Sequence, residues 1–414
     1  MSIYYFILFG TGFLILYAYR CVHLVSAAWR PWIRWTVRGL FLLAAIGVYA
    51  STSYLAVNRD DYRDNEAVRA YTTAGAITLN VTLVIISLFQ LLADLGLLGR
   101  WLFRQVRSDR GQETKGRRLF LNRLALGLGA ITLGSFVWGT TKGKYGWRIL
   151  ENRLRFTNLP EAFDGLRIVQ ISDLHLGSFR GKFDPLAEAV QMVNALRPDY
   201  ILFTGDLVNE SPEEAEEWVS LFRGLKARSG KYAILGNHDY GWGRITEEDK
   251  DKNSLGVMDV LRRMDFDVLG NEHRILQKGG QRIGLVGVEN WGYSEENWFP
   301  TRGDYQEATK GMDEVPFRIL LSHDPTHWDH HIVDKEDVDL TLSGHTHGGQ
   351  LGLRIPGLLD LSAGKLFYKR YAGAYQEGRQ HLYVNRGMGY LIFPGRVGMP
   401  PEITLHVLNK NPKV

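Results

Sequence analysis

The chain has 414 residues, roughly 2.8 times a ~150-residue domain, so two or three folded units are expected. Its one cysteine, Cys21, excludes a disulfide scaffold and any zinc or iron–sulfur site built on several thiolates. The 49 basic residues nearly balance the 45 acidic ones, which argues against nucleic acid as a partner, and 23% charged with 45% apolar residues excludes a disordered chain.

Four apolar stretches come first, over residues 3–19, 37–57, 73–93 and 119–138. A hydrocarbon core of ~30 Å needs about 20 helical residues. The last three stretches reach that length, and the first does so if it continues past Arg20. Its start is not basic and it has no small-residue cleavage site, so it reads as a retained helix and not as a removable signal. The polar residues inside are few, Asn80, Gln90 and Asp94, which points to an anchor more than to a transport path. Loops one and three carry eleven Lys and Arg against three in loop two. By the positive-inside rule those two loops are cytoplasmic, and the chain after the fourth helix lies outside the cytoplasmic (inner) membrane. Arg117-Arg118-Leu119-Phe120-Leu121 resembles a twin-arginine export signal and agrees with that orientation; it also reads as an ordinary basic helix flank.

Residues 1–140 are thus expected as a transmembrane region, 141–158 as a linker and 159–414 as one α/β domain. Strands are expected at 166–171, 200–203, 232–235, 282–288, 317–321, 338–342, 381–385 and 402–408, and helices at 185–196, 212–227 and 256–264. Strands alternating with amphipathic stretches argue for sheets packed with helices.

Polar residues of one chemical kind follow those strands. Asp173 and His175 follow the first, Gly205-Asp206 the second, and Gly236-Asn237-His238-Asp239 the third. His323 follows the fifth and Gly344-His345-Thr346-His347 the sixth. Loops at the carboxyl ends of strands share one face of an open α/β sheet, so these groups can converge. Carboxylate oxygens, an amide oxygen and imidazole nitrogens suit Mn, Fe, Zn, Ni or Co. A carboxylate such as Asp206 can bridge two cations, which would activate water for displacement at phosphorus.

The ordered set Asp173-x-His175, Gly205-Asp206, Gly236-Asn237-His238-Asp239, His323 and Gly344-His345-Thr346-His347 resembles the calcineurin-like metallophosphoesterases over residues 155–408. The resemblance implies a four-layer α/β/β/α sandwich and two divalent metal ions. Asp173, His175, Asp206 and His347 would hold one, and Asp206, Asn237, His323 and His345 the other. His238, oriented by Asp239, would act on the phosphoryl oxygens or the leaving group, with a metal-activated hydroxide as nucleophile. Where the family often has an acidic residue three positions past the bridging aspartate, this chain has Asn209, which receives no role.

A narrower resemblance rests on the run Gly344–Gln350, on Asn385-Arg386-Gly387-Met388-Gly389 and on Pro400-Pro401-Glu402-Ile403. It is to the membrane-associated bacterial branch that includes twin-arginine-exported phosphodiesterases and UDP-2,3-diacylglucosamine hydrolase-like enzymes, and it implies a lipid-linked or amphiphilic phosphoester. Arg386 is then a candidate phosphate contact or a structural ion-pair partner. Residues 351–375, rich in Leu, Phe, Tyr and Lys, could meet a lipid chain or pack on the core, and Trp291, Tyr293, Trp298 and Phe299 could wall the same cleft. The expected function is a membrane-anchored phosphoric ester hydrolase. The alternatives are an enzyme of soluble nucleotides or phosphoproteins and an inactive membrane scaffold or sensor.

Overall fold

The computed structural model describes residues 2–57, 66–107, 115–241, 246–292, 301–355 and 359–411. The chain divides into two units, Met1–Thr141 with Ile392–Gly395, and Lys142–Leu391 with Arg396–Val414.

The first unit is built on four helices, α1 (Ser2–Ser26), α2 (Pro31–Val57), α3 (Glu66–Arg107) and α4 (Lys115–Thr141). Each contains a span long and apolar enough to cross a membrane: Phe9–Ser26, Pro31–Tyr54, Ala70–Gly99 and Arg118–Thr141. The few polar side chains knit the helices together. Asn80 of α3 accepts from Thr11 of α1 at 2.9 Å. Asp94 takes Arg20 at 2.8 Å and the Tyr17 hydroxyl at 3.0 Å from α1, and lies 3.5 Å from Arg118 of α4. An interhelical bond answers the cost of a polar group in hydrocarbon, so these residues serve the bundle itself.

The second unit runs β1 (Arg148–Phe156), β2 (Leu166–Ile171), α5 (Phe183–Ala195), β3 (Tyr200–Thr204), α6 (Val219–Arg223), β4 (Gly230–Ile234), α7 (Glu247–Arg263), β5 (Asp267–Val268), β6 (Glu272–Lys278), β7 (Gln281–Gly287), α8 (Tyr305–Thr309), β8 (Arg318–Leu321), β9 (Leu340–Ser343), β10 (Gly352–Ile355), β11 (Leu359–Ser362), β12 (Gly373–Glu377), β13 (Gln380–Val384) and β14 (Glu402–Lys410). One six-stranded sheet has the order β1-β14-β2-β3-β4-β5, the other β12-β13-β9-β8-β7-β6, and β10 and β11 form a separate hairpin. Leu166, Ile168 and Leu202 of the first sheet meet Leu285, Ile319 and Leu342 of the second in a fully buried inner core. Each such side chain contributes roughly 1.5–3 kcal/mol, which fixes the strand ends of the two sheets against one another. The outer face of the first sheet is covered by α5, α6 and α7 through Leu186, Phe222 and Val257. The second is covered by α8 and the turn at Trp328–Ile332. The expected α/β/β/α layering is therefore present, with four apolar helices before it.

Two stretches differ from the sequence reading. Residues 148–156, expected in a linker, form edge strand β1, parallel to β14 from Arg148↔Glu402 to Phe156↔Lys410. Its inward positions Leu154 and Phe156 alternate with arginines, a period-2 pattern that the charges hide. The expected helix over 212–227 is a 3-10 segment, Pro212–Trp218, followed by the short α6. Glu214 turns back to accept from the backbone N–H of Asn209 at 2.6 Å and of Glu210 at 3.0 Å, which holds that first turn tight.

His406 of β14 lies fully buried between Gln170 and Asn152, at 3.1 Å from each. Burial pushes it down to about 3. The unfolded chain protonates near the usual ~6.5, and the folded chain only at about 3. Stability held at neutral pH is thus lost as pH falls through that window, and His406→Gln flattens the loss. Thermal unfolding at about pH 7 and about pH 4.5 should show the variant losing roughly 2–3 kcal/mol less than wild type. Equal losses would contradict the assignment.

Candidate metal centre

β2, β3 and β4 run parallel, as do β8, β9 and β13, so the turns after them gather. The turns are stitched by backbone bonds, within a sheet from Asp173 N–H to Gly205 O at 2.9 Å and from Gly344 N–H to His323 O at 2.9 Å, and between the sheets from Gly389 N–H to Asp173 O at 2.7 Å. A Cβ on Gly344 would strike Ser172 and the Asp173 carboxylate. A Cβ on Gly205 would strike Gly236, and its φ of +95° is one that glycine alone adopts readily.

All seven residues expected as ligands are brought together. Nε2 of His175 and Nε2 of His347 lie 3.0 Å apart, with Asp173 Oδ1 3.5 Å from the latter. Asn237 Oδ1 lies 3.1 Å from His323 Nε2 and 2.7 Å from His345 Nδ1. One atom reaches both groups: Asp206 Oδ2 is 3.5 Å from His175 Nε2 and 3.2 Å from His323 Nε2. Ligand atoms of Asp173, His175 and His347, and those of Asp206, His323 and His345, each fall within 4.8 Å of one another.

The ring tautomers test the fit to cations. His175 Nδ1 donates to Val208 O at 3.2 Å, and His323 Nδ1 to Thr204 O at 2.7 Å. In neutral rings both Nε2 atoms would aim lone pairs at a carboxylate oxygen. Acceptor facing acceptor in a buried site requires a positive charge between them, a proton or a metal ion. For His323, burial alone would favour the neutral ring, but Asp206 and Asp173 outweigh it and push the ring up to about 10. Burial raises Asp173 to about 7 and lowers His175 to about 3. The donor set fits a pair of divalent cations.

The backbone here is strained. Asp173, His175, Asp206, His345 and His347 all have φ between +47° and +70°, five of the eleven such non-glycine residues described. Each costs on the order of 1 kcal/mol or more and persists only where the surroundings enforce it, commonly at functional sites.

The family model for calcineurin-like phosphoesterases matches residues 166–349, and that for a probable calcineurin-like phosphoesterase transmembrane domain matches residues 1–144. An uncharacterized metallophosphoesterase of Bacillus subtilis, YkuE, is 32% identical over 308 residues, covering 70% of this chain and 97% of that protein. The chain belongs to the calcineurin-like phosphoesterases. A transmembrane protein with metallophosphoesterase domain from Danio rerio is 30% identical over 285 residues, 68% of this chain and 61% of its own length. The UDP-2,3-diacylglucosamine pyrophosphatase LpxG of Chlamydia trachomatis is 30% identical over 311 residues, 61% of this chain and 89% of that protein. The protein is thus a membrane-associated metallophosphoesterase, of a family that uses divalent metals.

Around the ligand candidates of this phosphoesterase, two roles differ from the sequence reading and a third falls to one of its two alternatives. His238 Nδ1 donates to Asn209 O at 2.8 Å, so Asn209, given no role from sequence, orients the ring by its backbone. Asp239, expected to do so, accepts from the N–H groups of Asp206 (2.9 Å), Leu207 (2.8 Å), Val208 (3.3 Å) and Gly236 (2.8 Å). Four such bonds fill the lone pairs of a carboxylate, so Asp239 holds the loop that carries Asp206. Arg386 sits 3.4 Å from the fully buried Glu402, with only 12% of its side chain exposed, which is the ion-pair arrangement.

Two further residues bear on the site. Arg396, fully buried, donates to His347 O at 2.9 Å and to the carbonyls of Gly387 and Gly389, and its guanidinium lies 3.1 Å from His347 Nδ1. The Tyr368 hydroxyl meets His345 Nε2 at 2.8 Å. A single arginine in a Gly-rich turn and a tyrosine in an apolar run carry no sequence signal of such contacts. Trp291 packs against His327 at a tilt and meets His331 edge-on. Tyr293, Trp298 and Phe299 lie outside the described residues.

Proposed function

We propose that the protein hydrolyses a phosphoester or pyrophosphate bond of a lipid-linked or amphiphilic substrate at a binuclear centre. Asp173, His175, Asp206 and His347 would hold one divalent cation, and Asp206, Asn237, His323 and His345 the second. The observation that carries this is the placing of Asp206 Oδ2 between His175 Nε2 and His323 Nε2. Bound there, two divalent ions would supply Lewis acidity toward phosphoryl oxygens and would lower the pKa of water.

The chain's own residues do the rest. Asp239 fixes the Asp206 loop. His238, set by Asn209 and with its backbone N–H on Asp206 Oδ1 at 2.9 Å, serves the phosphoryl oxygens or the leaving oxygen. Arg396 holds the His347 turn, and Arg386 keeps its pair with Glu402. The amphiphilic substrate is supported by the four apolar helices and by the relative named for a diacylated nucleotide sugar. The excess of basic residues in loops one and three supports a catalytic domain outside the cytoplasmic membrane, where the substrate's phosphate would be borne on a lipid and not drawn from the nucleotide pool.

The full chain purified with Mn, Zn or Fe should hydrolyse bis-p-nitrophenyl phosphate, and an amphiphilic phosphoester in mixed micelles at least about tenfold better, with both rates lost to a chelator and restored by the metal. Equal rates on micellar and short water-soluble esters would count against the lipid substrate.

A further inference from the structure

In the α/β unit, eight large apolar side chains are exposed among the described residues, and five of them fall within fifteen residues of sequence. They are Leu353 (53%), Ile355 (41%), Leu361 (58%), Leu366 (81%) and Phe367 (79%). The hairpin register explains the first three. Leu353 pairs with Leu361 and Ile355 with Leu359, so all four share one face, while Arg354 and Asp360 share the other. A two-stranded hairpin is marginal by itself in water, and this one presents its apolar face without burying it. Leu366 and Phe367 follow at the end of the 3-10 turn Gly364–Leu366.

The charge around this patch selects the occupant. Of the four basic side chains in residues 352–370, Arg354 pairs with Asp360 and the buried Arg370 with Asp329 and Glu377, while Lys365 and the largely exposed Lys369, 3.2 Å from Asp329, stand on either side of the exposed Leu366-Phe367 pair. Lysines flanking exposed apolar residues bury their stems and reach outward with their ammonium groups, the composition that seats in the headgroup layer of an anionic bilayer. The chain carries its own bilayer tether, since α4 ends at Thr141 and β1 begins at Arg148. The patch is also continuous with the site. Tyr368 meets His345, and Phe367, Tyr368, Lys369 and Arg370 line a cavity of about 330 Å³ together with Asp329 and His330.

We infer that the β10–β11 hairpin and the Gly364–Phe367 turn form a docking flap for the anionic surface of the bilayer. The flap sets the mouth of the metal centre against the headgroup layer, where an amphiphilic phosphoester presents its phosphate. The inference rests on the proposed amphiphilic substrate only in its kinetic consequence; the docking is read without turnover.

The sole cysteine is the buried Cys21, so a Cys21→Ser chain accepts one probe at a chosen site. An environment-sensitive dye on Leu366→Cys in the full chain, reconstituted in phosphatidylglycerol-containing vesicles, should shift to the blue and be quenched by nitroxide lipids. The same dye on Leu255→Cys, 62% exposed on α7, should keep its aqueous emission. Aqueous emission at 366, or a shift that nitroxide lipids leave unquenched, as a protein partner or a second copy of the chain would give, overturns the docking. In the kinetic arm, Leu361→Asp with Leu366→Asp should lose at least about tenfold in rate on the amphiphile in vesicles and keep the rate on bis-p-nitrophenyl phosphate. Equal loss on both substrates would show a structural role and overturn it as well.

Discussion

Asp206→Asn should leave a folded phosphoesterase that binds fewer than two divalent cations and turns over at least about 10³-fold more slowly, or about 4 kcal/mol in the barrier. The expectation follows from where one oxygen sits. Asp206 Oδ2 is within 3.5 Å of His175 Nε2 and 3.2 Å of His323 Nε2, and Oδ1 accepts the backbone N–H of His238. Its charges and hydrogen bonds work in one direction: burial alone would raise its pKa, but the rings of His323, His238 and His175 hold it well below the usual carboxylate range. Asparagine keeps the shape and tolerates the left-handed backbone at φ 60°, where alanine would add strain of its own. What asparagine removes is the anionic oxygen that faces both nitrogen donors. Elemental analysis of the purified variant gives the metal count, and kcat/KM on bis-p-nitrophenyl phosphate gives the rate. Two ions per chain with wild-type turnover would mean that Asp206 does not join the two groups.

The parts legible in the sequence were those written in side-chain types. Seven candidate ligands follow strand ends, and their turns carry glycine where Ser172, Asp173 or Gly236 leaves no room for a Cβ. Composition and position were enough to expect that they converge. What could not be read were roles filled by backbone atoms. Asn209 acts through its carbonyl oxygen, which every residue has. Asp239 stands beside His238 in sequence, yet its carboxylate turns to three N–H groups of the Asp206 loop and to that of Gly236 in its own turn, a choice set by loop geometry. Strand β1 escaped for another reason: its pairing partner, β14, lies more than 240 residues away, and only Leu154 and Phe156 mark its buried face. The flap shows the converse case. Its leucines read from sequence as core or lipid contact alike, and the register of β10 with β11 is what shows them sharing one open face.

His238→Ala should keep both cations and lose activity in a way that depends on the leaving group. The ring is buried, its Nδ1–H is held by Asn209 O at 2.8 Å, and its centroid lies 5.0 Å from that of His175. With Nδ1 donating to the carbonyl, Nε2 is the nitrogen that can carry a proton to or from a reacting oxygen. A positioned acid contributes typically 10²–10⁴-fold when the departing oxygen needs a proton. An alkyl or glycosyl phosphoester needs one, whereas p-nitrophenolate leaves as a stable anion. The variant should therefore fall about 10²–10³-fold on an alkyl ester and much less on bis-p-nitrophenyl phosphate. If both substrates slow equally while the metal count holds, His238 acts on the non-bridging phosphoryl oxygens, which carry charge in either reaction. If neither slows, His238 takes no part in the chemistry, and Asn209 orients a ring that only fills the wall of the site.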